Sequence, residues 1–165
     1  MATNGVNLSA YHSEDIQVPE GIRVGIAVAE WNKHITGALL DGSLKTLLDL
    51  GLTTDQILVK WVPGSFELPL AASWMLTTQN LDGVIVLGCV IQGETRHFDF
   101  VCEGVTQGVM SLSLQHDKPV IFGLLTDNNE QQSLDRSGGK HGNKGVECAV
   151  SLIKMLALKQ QLSAK

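Results

Sequence analysis

Basic charge is scarce in this chain of 165 residues: 12 lysines and arginines stand against 17 acidic residues, for a formal net charge of −5. A general nucleic-acid surface is basic, so that class of partner is excluded. An anionic ligand must be held by local groups against a mildly repulsive field. Cysteine is scarce too. Cys89, Cys102 and Cys148 are odd in number and form no CxxC pair, which argues against a disulfide framework or a zinc site and fits a reducing cytoplasm. No apolar run approaches the roughly 18 residues that suggest a membrane span, so no membrane association is expected. The opening stretch MATNGVNLSAYHSEDIQ lacks the basic start and apolar centre of a secretory signal. Internal repeats and low-complexity tracts are also missing.

What remains is globular. Hydrophobic residues make up 44% and charged residues 18%, a balance that supports one domain with a real core. Residues 1–21 are polar, contain Pro19 and Gly21, and read as a flexible N-terminal arm with a short strand near 16–18. Residues 22–165 read as a single domain. IRVGIAVA (22–29) is apolar on both faces, as in a buried parallel strand. A helical pattern follows through Ile35, Leu39, Leu40, Leu44, Leu47 and Leu48 and stops at Gly51. DQILVKWVP (55–63) is a second strand, and the next helix carries Pro69 in its first turn. GVIVLG (83–88) is a third strand, 99–115 a helix, and KPVIFGLL (118–125) a fourth strand. Two helices, 128–136 and 143–161, are split by SGGKHGN. The order βαβαβαβαα predicts a flavodoxin-like three-layer α/β/α sandwich around a four-stranded parallel sheet.

In such sheets ligands sit beyond the carboxyl ends of the strands, and the chemistry in this sequence collects there. Trp31-Asn32 follows the first strand, VPGSFE (62–67) the second, and GCVIQGETRHF the third, while the fourth carries Phe122. Taken singly, each has an ordinary explanation. Trp31 can be a core aromatic, Glu67 a first-turn acid favoured by the helix dipole, and GSFE a turn with its cap. Their common location is what chance does not provide. His97 lies in a loop after a strand and just before a helix, and histidine is suited to proton transfer near neutral pH. Glu94 and Thr95 bracket a helix N-terminus, where free N–H groups favour an anion. RSGGKHGNKG (136–145) does not have the spacing of a P-loop. Its glycines read as a helix break, with Arg136 and Lys144 as spare cations. No dinucleotide fingerprint, HExxH or GxSxG motif is found, and the histidines have no metal-ligand spacing.

The segments RVGIAVAEWNKHIT, VPGSFELPLAA, LGCVIQGETRHFDFV and FGLLTDNNEQQSLDRSGGKHGNKGVE together resemble the lumazine synthase family, from about residue 22 to 158, in order and without a large insertion. GETRHFDFV and GGKHGNKG carry the most specific part of the likeness. The resemblance implies condensation of a ribitylaminopyrimidinedione with a dihydroxybutanone phosphate, the penultimate step of riboflavin biosynthesis, with no cofactor and no metal. It implies that Trp31 stacks on the pyrimidine, that Ser65, Phe66 and Glu67 line the site, and that Glu67 binds ribityl hydroxyls. Cys89, Val90 and Ile91 would hold the heterocycle through backbone groups. Glu94 and Thr95, with Gly93, would cradle the phosphate, and His97 would be the proton-transfer residue. Phe122 and Arg136 would come from a neighbouring subunit, Arg136 on the phosphate, with Lys144 assisting.

The same resemblance implies a homopentamer, and the absence of an insertion between the last two helices is compatible with an icosahedral shell of pentamers. Many family members carry phenylalanine where this chain has Trp31, and the indole implies affinity for riboflavin. Three rival readings share the fold. An archaeal-type riboflavin synthase would not need phosphate groups at Thr95 and Arg136. A non-catalytic flavin-binding or shell protein would not need His97, Glu67 and Arg136 together. A flavodoxin-like electron carrier would need a hydroxyl-rich phosphate loop in place of EWNKHIT.

Overall fold

Val24 through Ala29 are buried without exception, the burial on both faces that a central parallel strand requires. Alternation along this strand divides the core in two. Val24, Ile26 and Val28 join a cluster with Ile35, Leu39, Leu47, Leu152 and Ile153. Ala27 and Ala29 face the other way, toward Leu68, Ala72, Met75, Val105 and Val109. In the computed structural model, which describes residues 9–163, this gives a flavodoxin-like three-layer α/β/α fold.

The strands β1 (Val24–Ala29), β2 (Ile57–Val62), β3 (Gly83–Ile91) and β4 (Val120–Asp127) lie in the order β2-β1-β3-β4, all parallel. Helices α1 (Lys33–Asp49) and α5 (Lys144–Ser163) cover one face, α2 (Leu68–Thr78) and α3 (His97–His116) the other. The short α4 (Glu130–Arg136) follows β4. The chain runs from β1 outward to β2, then returns across β1 to β3. Strand order therefore reverses between β1 and β3, and a crevice forms at such a point beyond the carboxyl ends of the strands.

Several boundaries differ from the sequence expectation. β3 and β4 run on to Ile91 and Asp127, because the two strands keep pairing as far as Ile91 with Asp127. α3 begins at His97, two residues early, and the Asp99 N–H already donates to the Arg96 carbonyl. The glycine segment between α4 and α5 is more than a helix break. Ser137–Gly139 (β5) pairs antiparallel with Gly142–Asn143 (β6), and Gly138 and Gly142 have φ values of 128° and 78° that only glycine adopts readily. Asn143 ties this hairpin down, donating to the carbonyls of Ala38 and Ser137 while accepting from the Gly145 N–H. No strand forms at 16–18. A 3₁₀ turn, Ser13–Asp15, precedes a buried Ile16, and Tyr11 and Val18 pack on the α1/α5 side of the core. The first eight residues of the expected arm lie outside the described residues.

Candidate active site

The crevice at the reversal point is a cavity of about 780 Å³. The loop after β1 supplies Trp31 and Asn32. The turn after β2 supplies Gly64 to Glu67, the end of β3 supplies Cys89 to Ile91, and the segment into α3 supplies Gly93, Thr95, His97, Phe98, Phe100 and Val101. Trp31, Ser65, Phe66, Glu67, Cys89, Val90, Ile91, Thr95 and His97 are thus brought together from four separate stretches. Glu94, Phe122, Arg136 and Lys144 do not line the cavity of their own chain. Glu94 is exposed beside it, and Phe122 sits on edge strand β4, partly buried against the α2/α3 side of the core.

Each wall has a local cause. Trp31 is 71% exposed, so its ring is available as a flat surface and contributes little to the core. Ser65 opens a 3₁₀ turn, Ser65–Glu67, that runs into α2 with proline in the first helical turn. Its hydroxyl is buried and has no protein hydrogen-bond partner, which favours an incoming polar group. The turn packs against β3 where the strand carries Gly88. A Cβ there would lie 2.7 Å from the Ser65 hydroxyl and 2.6 Å from Leu124. Cys89 turns its side chain away from the cavity. Its thiol donates to the Ser133 hydroxyl, which donates to Asp127, and burial pushes its pKa up. Cys89 therefore offers the crevice its backbone and not its thiol. His97 opens α3, its N–H 3.4 Å from the Thr95 hydroxyl, and its imidazole is exposed toward the crevice.

Among the described residues, no lysine or arginine lines the cavity. The nearby Arg96 is directed at Asp99 and stands over the Phe100 ring. The two cations singled out from the sequence are held elsewhere. Arg136 donates through both terminal nitrogens to Glu147, at 3.2 and 3.4 Å, and also to the His141 carbonyl. Lys144 donates to the same carboxylate at 2.9 Å. Burial pushes the Glu147 pKa up, but Lys144 and Arg136 together more than offset this and hold it below the ordinary glutamate value. The Arg136 and Glu147 side chains are 12% and 11% exposed.

Sequence reasoning gave no role to Asn32, Gly64, Phe98, Phe100 or Val101. Asn32 follows the first strand in the sequence, but its left-handed backbone (φ 58°, ψ 45°) and its bond to the Cys89 carbonyl have no signature in the local sequence. Phe98 and Phe100 flank Asp99 at the end of the dense charged stretch, and a pair of aromatics at a helix start after a strand is the signal available for them.

Comparison with known proteins bears on what this crevice does. The family model described as 6,7-dimethyl-8-ribityllumazine synthase matches residues 21–160. The protein of that name from Flavobacterium johnsoniae is 57% identical over 164 residues, covering 99% of this chain and 86% of that one. Its namesake from Flavobacterium psychrophilum is 54% identical over 98% of this chain and 85% of its own length. The Parabacteroides distasonis protein of the same name is 53% identical over 94% of this chain and 98% of its own.

Proposed function

The chain belongs to the 6,7-dimethyl-8-ribityllumazine synthase family, and from that premise we propose how its crevice divides the work. The reaction condenses 5-amino-6-(D-ribitylamino)uracil with 3,4-dihydroxy-2-butanone 4-phosphate to give 6,7-dimethyl-8-ribityllumazine, phosphate and water. The primary amine attacks the ketone and water leaves to form an imine. Proton removal then expels phosphate, and the ribitylamino nitrogen closes the second ring with loss of another water.

The observation that carries the assignment of roles is the composition of the cavity. It holds an open indole, a strand end, a buried hydroxyl, one carboxylate and one histidine, and no cation of its own. Trp31 stacks on the pyrimidine, and the ends of Cys89, Val90 and Ile91 bind its edge. Ser65, Phe66 and Glu67 take the ribityl chain. Gly93, Glu94 and Thr95 cradle the phosphate at the N-terminus of α3, beside His97, which moves protons for imine formation and phosphate loss. Leaving group and shuttle must lie within one small substrate's length, and their closeness in sequence supports this pairing. Most of the acceleration comes from holding two substrates together.

A phosphate bound by an acidic protein calls for a cation, and arginine's planar fork suits it. We assign that role to Arg136 of an adjacent protomer, with Lys144 beside it and Phe122 closing the site. Exposed apolar side chains on α2 (Leu70, Trp74) and α3 (Met110, Leu114) support cyclic self-association. A homopentamer is the proposed assembly. Three free thiols support a cytoplasmic location.

The test is complementation. His97→Ala and Arg136→Ala proteins are unfolded, mixed in equal amounts and refolded together. Random co-assembly leaves roughly a quarter of the sites with both groups, so turnover rises above that of either variant refolded alone. Mixed assemblies verified by mass that show no gain would refute the shared site, and sedimentation of the parent protein tests the pentamer directly.

A further inference from the structure

The β1–β3 ladder stops before the crevice begins. Pairing between these strands ends at Val28 with Leu87, whereas β3 stays paired with β4 as far as Ile91. Backbone groups along a strand face alternate sides. The N–H groups of Val84 and Gln92 donate to Pro119 and Asp127 on the β4 side, so Cys89 and Ile91 turn their carbonyls toward the β1 side. Beyond Leu87 no ladder holds the loop that carries Trp31 against the end of β3.

One side chain spans that gap. The Asn32 amide donates to the Cys89 carbonyl at 3.0 Å. Asn32 adopts the left-handed conformation, one of three non-glycine residues among those described to do so, and asparagine tolerates it better than most residues. Its own carbonyl accepts the N–H groups of Ile35 and Thr36, which start α1. The rest of the loop is pinned close by: the Glu30 N–H donates to Val62, and the Thr36 hydroxyl donates to Ala29. On its other side, Cys89 is fixed by its thiol bond to Ser133. The end of β3 is thus a held wall, and Trp31 is an exposed ring whose link to that wall runs through the next residue.

We propose that Asn32 is a positioning residue that sets the slot between the Trp31 ring and the backbone edge at Cys89–Ile91, and so governs binding of the planar pyrimidine. By occupying the Cys89 carbonyl it also leaves ring recognition to the remaining backbone groups of Cys89–Ile91, those of Ile91 above all. The inference rests on the site reading given above. It concerns one substrate: the phosphate cradle lies at the start of α3, a different element, and does not depend on the Asn32 bond.

The experiment measures calorimetric binding of 5-amino-6-(D-ribitylamino)uracil to the parent, Asn32→Gly and Asn32→Asp proteins, with KM for the butanone phosphate taken in parallel. Glycine keeps the left-handed backbone and deletes the donor. Aspartate keeps the size and turn preference but points an acceptor at a carbonyl. The Kd for the pyrimidine is expected to rise about tenfold in Asn32→Gly, the worth of one net hydrogen bond, and further in Asn32→Asp, while KM for the phosphate substrate stays within about twofold. Pyrimidine binding unchanged in either folded variant, or a parallel loss for both substrates, overturns the positioning role. A parent protein that neither binds nor converts the pyrimidine overturns the site reading itself. A competent parent with unchanged variants removes Asn32 alone.

Discussion

Two polar regions of this molecule are built on opposite terms. The crevice leaves its groups unsatisfied: the Ser65 hydroxyl has no partner, Trp31 is mostly exposed, and His97 and Glu67 face open space. The Arg136–Lys144–Glu147 cluster is closed on itself, with one carboxylate accepting from two cations in a half-dry setting. Groups in the first region contribute little to folding and are available to a ligand. Groups in the second are needed by the fold before any ligand arrives, because a buried charge without its partner is costly. The cluster still holds two cations to one carboxylate, so it carries net positive charge, which is the property the crevice lacks.

The contrast predicts which substitutions damage stability and which damage turnover. The largest expected effect is on Glu147. Glu147→Ala leaves two cations facing each other and is expected to cost about 3 kcal/mol of folding stability, read as a lowered midpoint in denaturant. A loss below about 0.5 kcal/mol would place the cluster with ordinary surface pairs. His97→Ala works in the opposite region. Turnover is expected to fall about 10²-fold, the low end for general acid–base help, with the unfolding midpoint unchanged. A fall in both would mean that His97 is structural.

Trp31→Ala is expected to be milder. Aromatic stacking adds roughly 0.5–1.5 kcal/mol beyond area burial, so affinity for the pyrimidine and for riboflavin should weaken up to about tenfold, again without loss of stability. Riboflavin titrations followed by tryptophan fluorescence report this directly, and equal quenching in parent and variant would put the flavin elsewhere.

The smallest effect is with pH. The Glu147 pKa is lowered from an ordinary value of 4.5. A carboxylate depressed in the folded state contributes stability that is present above its unfolded pKa and is lost as pH falls through the folded value. Parent and Glu147→Gln should therefore differ most near neutral pH, and the difference should shrink once pH drops below 4.5 and vanish as it falls through the lowered folded value. A gap that stays constant down to strong acid would show that the carboxylate's charge is not what stabilises the cluster.

Most of the layer architecture was legible. Runs such as Val24–Ala29 are apolar on both faces, and Ile35 to Leu48 recur at helical spacing, so element type followed from local pattern. Nine of the residues named as candidates meet in the cavity because they follow strands that share one direction, a property that βαβ order already implies. The arm and the glycine segment were read less well. Ile16 is buried without forming a strand, since a single apolar side chain can dock without a partner for its backbone. The hairpin at Ser137–Gly139 depends on Asn143 reaching Ala38, more than a hundred residues away in sequence.

The sequence by itself determined that strands alternate with helices, that they form one parallel sheet, and that aromatic, acidic and imidazole groups gather at one end of it. These properties rest on periodicity and on residue type, which are local. Tertiary structure alone decided that β1 stops pairing before β3 does, that Asn32 therefore meets the carbonyl of Cys89, and that Arg136 and Lys144 share Glu147 instead of entering their own chain's crevice. Each of these depends on the relative length or register of segments far apart in the chain. Hydrogen bonds and ion pairs form over a few ångströms of space, and a residue's neighbours in sequence do not specify which distant group will occupy that space.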